Sequence, residues 1–192
     1  MSKLFIPVLL GTAREGRESE KAARFVFAEL EKEAEVKTEL IDVREIVMSE
    51  TIPSWVDSPV TAKWKEIMKA ADALVIVTPE YNRGYPGELK LLLDSALKEY
   101  KKKPVAVCGV SDGLYGGARV VELMKPSLTH MGLVPISRVV LVNNVDTLFD
   151  ETGKIKEAEN WQKKTKGLFE ELLWYSKVLK EGREIYPEKN KE

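Results

Sequence analysis

The sequence predicts an α/β fold built on a parallel sheet covered by helices. Two observations carry that prediction. Short apolar runs alternate with segments of helical periodicity along most of the chain. Several of those runs, ADALVIVTP and PVAVCGV among them, are apolar almost without interruption, as suits strands covered on both faces.

Taken in order, KLFIPVLL (3–10) reads as a buried strand, with Pro7 as an objection because it lacks a ladder donor. A helix is predicted from Ser19 to Ala34, where Ala22, Ala23, Val26, Phe27 and Leu30 recur at helical spacing. Ser19 or Glu18 is its expected cap. VKTELIDV (36–43) alternates as a second strand. Residues 44–60, with Pro53, Trp55 and Pro59, read as a long ordered loop, and 61–71 as a short helix. The run 71–79 is the third strand, and 86–98 a helix with proline in its first turn. The fourth strand is 104–110. A helix over 117–131 carries Pro126, which predicts a kink or a break. LVPISRVVLV (133–142) is the fifth strand. The helical pattern returns over 155–179, and the tail REIYPEKNKE is expected to fray. Five strands with this alternation fit a flavodoxin-like three-layer sandwich with strand order 2-1-3-4-5. A single domain over 1–192 is expected, with a C-terminal helix and tail from about residue 155.

Composition narrows the function classes. Among 192 residues, Lys and Arg number 30 and Asp and Glu 31. That balance speaks against a nucleic-acid binder driven by bulk charge and against a strongly acidic electron carrier. Cys108 is the lone cysteine, which excludes a disulfide within the chain and fits a reducing compartment. No signal peptide or membrane span is read, so a cytoplasmic location is expected. His130 is the lone histidine, read as structural, and with one cysteine it makes no zinc site. Lys101, Lys102 and Lys103 are read as a solvated helix end.

In open parallel sheets ligands bind beyond the carboxyl ends of the strands. Three loops lie there: GTAREGRES, TPEYNRGYPGELK and GVSDGLYGGAR. The first has Gly11 and Gly16 in the spacing of a nucleotide P-loop, GxxxxGK[ST]. Arg17 and Glu18 stand where that motif needs lysine and a hydroxyl for magnesium. Thr12, Arg14, Arg17 and Ser19 before a helix N-terminus instead read as a metal-free monophosphate grip. A glycine turn with solvated arginines is the competing reading. In the second loop, Pro79, Glu80, Tyr81 and Asn82 present backbone groups suited to a flat heterocycle. In the third, Ser111, Gly113, Gly116 and Gly117 permit close backbone approach to a ring. A capping turn and a flexible turn compete for these two.

Together the three loops resemble the NADPH-dependent FMN reductases of flavodoxin-like fold, a group that includes quinone, azo-dye and chromate reductases. The resemblance covers about residues 3–145 and rests most on PEYN followed by PGxLK, with GGxR in support. It implies FMN as cofactor and NAD(P)H as co-substrate, with hydride passing to the flavin N5 and two electrons leaving to a small-molecule acceptor. Thr12, Arg14, Arg17 and Ser19 would hold the phosphate. Pro79, Glu80, Tyr81 and Asn82 would line the ribityl chain and isoalloxazine, and Ser111, Gly113, Gly116 and Gly117 the other side of the ring. No side chain need act as a nucleophile. A homodimer or homotetramer is also implied; the charge balance and the lack of a membrane-length apolar run leave neither nucleic acid nor membrane as an expected partner. The rival functions are a flavodoxin-type carrier without NAD(P)H turnover and a flavin-free interaction module. A dinucleotide-binding dehydrogenase is disfavoured because the first loop lacks GxGxxG.

Overall fold

The computed structural model describes residues 3–46 and 48–187. Its strands are β1 (Leu4–Phe5), β2 (Val8–Leu10), β3 (Val36–Lys37), β4 (Leu40–Asp42), β5 (Leu74–Pro79), β6 (Lys103–Val110), β7 (Leu133–Pro135) and β8 (Val140–Val142). Its helices are α1 (Ser19–Leu30), α2 (Pro59–Ala70), α3 (Gly87–Asp94), α4 (Ala118–His130), α5 (Val145–Leu148) and α6 (Ala158–Ile185). All strand pairs are parallel. The main sheet runs β4-β2-β5-β6-β7 with β8 also beside β6, and β1 and β3 form a separate pair.

The five expected continuous strands are therefore eight shorter ones, for identifiable reasons. Pro7 has no N–H and divides the first run, although its carbonyl still accepts from Val75 at 3.0 Å. Opposite it, the Thr38 hydroxyl donates to the Ile6 carbonyl at 2.7 Å, so a side chain stands in for the ladder. The last run leaves the sheet at 136–139. There Glu171 of α6 accepts from the Ser137 and Arg138 amides at 3.3 and 2.9 Å and from the Ser137 hydroxyl at 2.7 Å.

Alternation along each strand divides the core. Val8, Leu10, Val75, Val77, Ala106 and Cys108 face α1 and α6, while Leu9, Leu74, Ile76, Val105 and Val107 face α2, α3 and α4. Helix boundaries shift from the sequence expectation where local chemistry decides. α2 begins two residues early because Pro59 suits a first turn and the Ser58 hydroxyl accepts from Val60 at 3.3 Å. α1 stops at Leu30 rather than Ala34. α3 stops at Asp94, and residues 98–100 form a separate 3-10 turn. Pro126 sits within α4 without breaking it. α6 runs on to Ile185, so Arg183 to Ile185 of the expected frayed tail are helical; residues 188–192 lie outside the described part.

Candidate functional site

The carboxyl ends of β2, β5, β6 and β8 open onto a cleft of about 290 Å³. Seven of the sequence-chosen residues line it: Arg14, Arg17, Ser19, Pro79, Glu80, Tyr81 and Ser111. Thr12, Asn82, Gly113, Gly116 and Gly117 do not form its wall.

The first loop leaves β2 and enters α1. Thr12 is fully buried there. Its hydroxyl donates to Glu88 at 3.1 Å and accepts from the Arg14 amide at 3.3 Å. The single Thr12 hydroxyl hydrogen is thereby used, so the Tyr81 hydroxyl, 3.2 Å away, donates to Thr12. Thr12 is thus a strut between the first and second loops.

Arg17 is a second strut. Its Nε and one terminal nitrogen donate to Glu20 at 3.2 and 3.1 Å, and its fork reaches both Asp42 oxygens and the Thr12 carbonyl. Five bonds engage all five guanidinium donors. Burial disfavours the Arg17 charge, but the hydrogen bonds it donates to Asp42 and Glu20 outweigh that and leave the guanidinium above its ordinary value. The same pairing holds Asp42 low. Burial pushes that carboxyl up, and the bonds from Arg17 and from the Arg44 amide overcome it. Arg44 braces the loop from outside through the Ala13 and Arg14 carbonyls.

Ser19 is different. It is 3% exposed, yet its Oγ has no hydrogen-bond partner, alone in this among the described buried side chains. Leaving a buried hydroxyl unpaired costs about 1–3 kcal/mol. It opens α1, whose cap residue Glu18 makes no side-chain capping bond. The first-turn amides of a helix also lack intrahelical partners and attract anions. Arg14, exposed and 5.4 Å over the Tyr81 ring, supplies a cation whose hydrogen-bonding side chain is not tied into the loop.

In the second loop the Tyr81 and Gly84 amides and carbonyls pair at 2.9 and 2.8 Å. Asn82 and Arg83 between them both take positive φ, which makes a tight left-handed turn and leaves Asn82 exposed at its tip. Glu80 reaches the third loop, accepting from the Val120 amide and from Arg119, each at 3.4 Å. The third loop shows why its glycines recur. A Cβ on Gly117, at φ +80, would lie 2.7 Å from the Val110 nitrogen, and one on Gly116 2.7 Å from the Leu141 carbonyl carbon. These glycines allow backbone to lie on backbone and thereby place Ser111, whose hydroxyl donates to Gly113 at 3.1 Å.

Sequence reasoning missed Gly16, Glu18, Val110, Asp112, Val145 and Asp146, which also line the cleft. Asp112 was within reach, next to Ser111 in a loop already singled out. Val145 and Asp146 follow β8, and their amide-side approach depends on a bond of 3.2 Å from the Val145 amide to the Ser111 carbonyl, which no local pattern signals. Neither His130 nor Cys108 enters the site. Burial pushes the Cys108 thiol up to about 12. Among the described residues, no group of three or more His, Cys, Asp or Glu side chains is placed to hold a metal, and no helix is long and apolar enough to cross a membrane.

Residues 5–147 match the family described as NADPH-dependent FMN reductase. An NAD(P)H-dependent FMN reductase of Pseudomonas aeruginosa is 31% identical over 102 residues, 50% of this chain and 55% of that protein. Wider coverage comes with an NADPH azoreductase of a Bacillus species, 29% identical over 91% of this chain and 93% of that protein. Among solved structures, a flavoenzyme NAD(P)H:(acceptor) oxidoreductase from Paracoccus denitrificans superposes with a TM-score of 0.76. It is 24% identical and the match covers 91% of this chain and 98% of that one.

Proposed function

The chain belongs to the NADPH-dependent FMN reductase family, and from that premise we propose how its cleft serves the reaction. The protein is an NAD(P)H-dependent oxidoreductase that uses FMN. When bound, FMN supplies acceptance of hydride from NAD(P)H and delivery of two electrons to a small-molecule acceptor.

One observation carries the placement: the buried, unpartnered Ser19 hydroxyl at the start of α1. Ser19, the first-turn amides and Arg14 would hold the phosphate. Arg17 and Thr12 support this grip from behind, because their hydrogen-bonding capacity is met within the protein. Pro79, Tyr81, Val110 and Ser111 form the wall against which a flat ring would lie. Glu80 keeps the second and third loops in register through Val120 and Arg119. Asn82, Gly113, Gly116 and Gly117 act by shaping these loops. The eight short strands are read as the five chain segments of a flavodoxin-like sheet in the order 2-1-3-4-5, within one domain. A cytoplasmic homodimer or homotetramer completes the reading, checked by light scattering and cell fractionation.

The relatives include quinone reductases of Pseudomonas putida as well as the azoreductase, so quinones and azo compounds are the acceptor classes to try first. The decisive experiment is the visible spectrum after FMN addition and desalting, followed by NADPH without oxygen. Retained flavin bands that bleach are expected. Bands that persist with both NADPH and NADH would return the protein to the electron-carrier reading. With an acceptor present, parallel double-reciprocal lines are expected, and intersecting lines would overturn the alternating use of one ring face.

A further inference from the structure

The first loop is held from behind by α3, through a residue that is not part of the cleft wall. Glu88 lies in the first turn of α3 and is half-buried. One of its oxygens, Oε1, accepts from the Thr12 hydroxyl at 3.1 Å and from the Ala13 amide at 2.7 Å. Its neighbour Leu89 lies against the residue before these. A Cβ on Gly11 would stand 2.8 Å from Leu89 Cδ2, so the loop rests directly on the helix. Two consecutive residues of α3 thus set three consecutive residues of the loop.

The bonds continue from Thr12 toward the cleft. Its Oγ accepts from the Arg14 amide at 3.3 Å and from the Tyr81 hydroxyl, 3.2 Å away. The Tyr81 ring lies under the Arg14 guanidinium, 5.4 Å from it. Arg14 is therefore located at both ends, its backbone by Thr12 and its charge by Tyr81, and both supports meet at Thr12. Glu88 decides the direction of these bonds. A carboxylate only accepts, so Thr12 commits its single hydrogen to Glu88 and turns its lone pairs to Arg14 and Tyr81.

We propose that Glu88 is a positioning residue for FMN: it sets Ala13 directly and, through Thr12, places Arg14 for the phosphate. This rests on the reading that the cleft holds the FMN phosphate. An acid in a first helical turn ordinarily serves its own helix dipole. Here the carboxylate also crosses to another loop, and that loop is the phosphate grip.

Two features separate positioning from general support of the fold. The Ala13 amide is exposed, so water can replace its acceptor at little cost in stability. Both bonds also end on one oxygen, so Glu88→Gln keeps them through its amide oxygen while losing the charge.

The test is fluorescence titration of wild type, Glu88→Ala and Glu88→Gln with FMN and with riboflavin, which lacks the phosphate. Wild type is expected to bind FMN more tightly than riboflavin. Glu88→Ala should weaken FMN about tenfold, with riboflavin affinity and melting temperature nearly unchanged. Glu88→Gln should stay within about threefold of wild type for FMN. No loss of FMN affinity in Glu88→Ala, or an equal loss for both flavins, would overturn the proposal. So would a loss in Glu88→Gln as large as in Glu88→Ala.

Amide hydrogen exchange of the flavin-free protein reads the same clamp without the ligand. The Ala13 and Arg14 amides should exchange about fivefold faster or more in Glu88→Ala, and at the wild-type rate in Glu88→Gln. Unchanged exchange in Glu88→Ala would also overturn the proposal. Equal binding of the two flavins by wild type would instead overturn the phosphate reading of the cleft, and the exchange rates then decide whether Glu88 still sets the loop.

Discussion

Ser19 and Arg17 sit two residues apart and do opposite things with their polar atoms. Arg17 reads from sequence as a phosphate ligand because guanidinium, glycine and a helix start coincide. Its partners Glu20 and Asp42 decide otherwise, and Asp42 arrives from the next strand. Ser19, a modest hydroxyl, keeps its hydrogen-bonding capacity. Ser19→Ala should therefore lower FMN affinity by roughly tenfold to a hundredfold, since a hydrogen bond to a charged group is worth about 1.5–3 kcal/mol. Fluorescence titration of FMN reads this directly, while the melting temperature should stay the same or rise, because an unpaired buried hydroxyl is removed. Asp42→Asn should act the other way, destabilising the fold by about 1–3 kcal/mol by weakening the hold on a buried guanidinium. The pH dependence has a definite sign. Glu20 is held low by the Arg24 and then the Arg17 hydrogen bond against burial, and Asp42 is also low in the folded state. Their contribution is present above the ordinary carboxylate range and is lost as pH falls through the depressed folded values. Urea melts between pH 7 and pH 3 should show a steeper acid loss in the wild type than in Asp42→Asn. Cys108, buried with its thiol near 12, should react with a thiol reagent only after denaturation.

At the scale of elements, the hydrophobic pattern was enough to find every main strand segment and long helix, because burial on two faces leaves continuous apolar runs and burial on one face leaves a helical stripe. Interruptions were less legible. Pro7 could be flagged, but the departure at 136–139 depends on Glu171, which is 34 residues from Ser137 in sequence. The candidate site divides in the same way. Loop positions followed from the strand ends, whereas the roles of Thr12 and Arg17 also depended on the distant partners Asp42, Tyr81 and Glu88, 25, 69 and 76 residues away. The C-terminal helix is more than an appendage. Trp161, Leu168, Phe169 and Leu172 of α6 enter the core against α1 and the sheet, and Lys180 and Arg183 anchor it to Asp72. Leu172→Ala, at a fully buried position, should cost about 2–5 kcal/mol in chemical denaturation.

For the whole molecule, the sheet separates two differently charged ends. The cleft end places acids, Glu18, Glu80, Asp112 and Asp146, around Arg14 and the buried, unpaired Ser19 hydroxyl. Among the described residues, the other end gathers Lys69, Lys98, Lys102, Lys103 and Arg183 beside Glu99. Near-zero net charge thus conceals a polar distribution, which composition alone cannot register. Gly117 shows how tightly the cleft depends on the sheet. Gly117→Ala should displace the third loop, because no Cβ fits 2.7 Å from the Val110 nitrogen at φ +80. Loss of retained FMN together with a lowered melting temperature is the expected result, and an unchanged spectrum would show that the loop has slack.

The position of β2 in the middle of the sheet has a consequence for synthesis. It precedes both of its neighbours in the chain, β4 on one side and β5 on the other. On the ribosome, one backbone edge of this apolar segment is not fully paired until residue 42 has emerged, and the other not until residue 77. Through that interval the nascent chain carries a bare, sticky strand edge. Arrest at about that length should make it a preferred client of chaperones that shield extended hydrophobic segments.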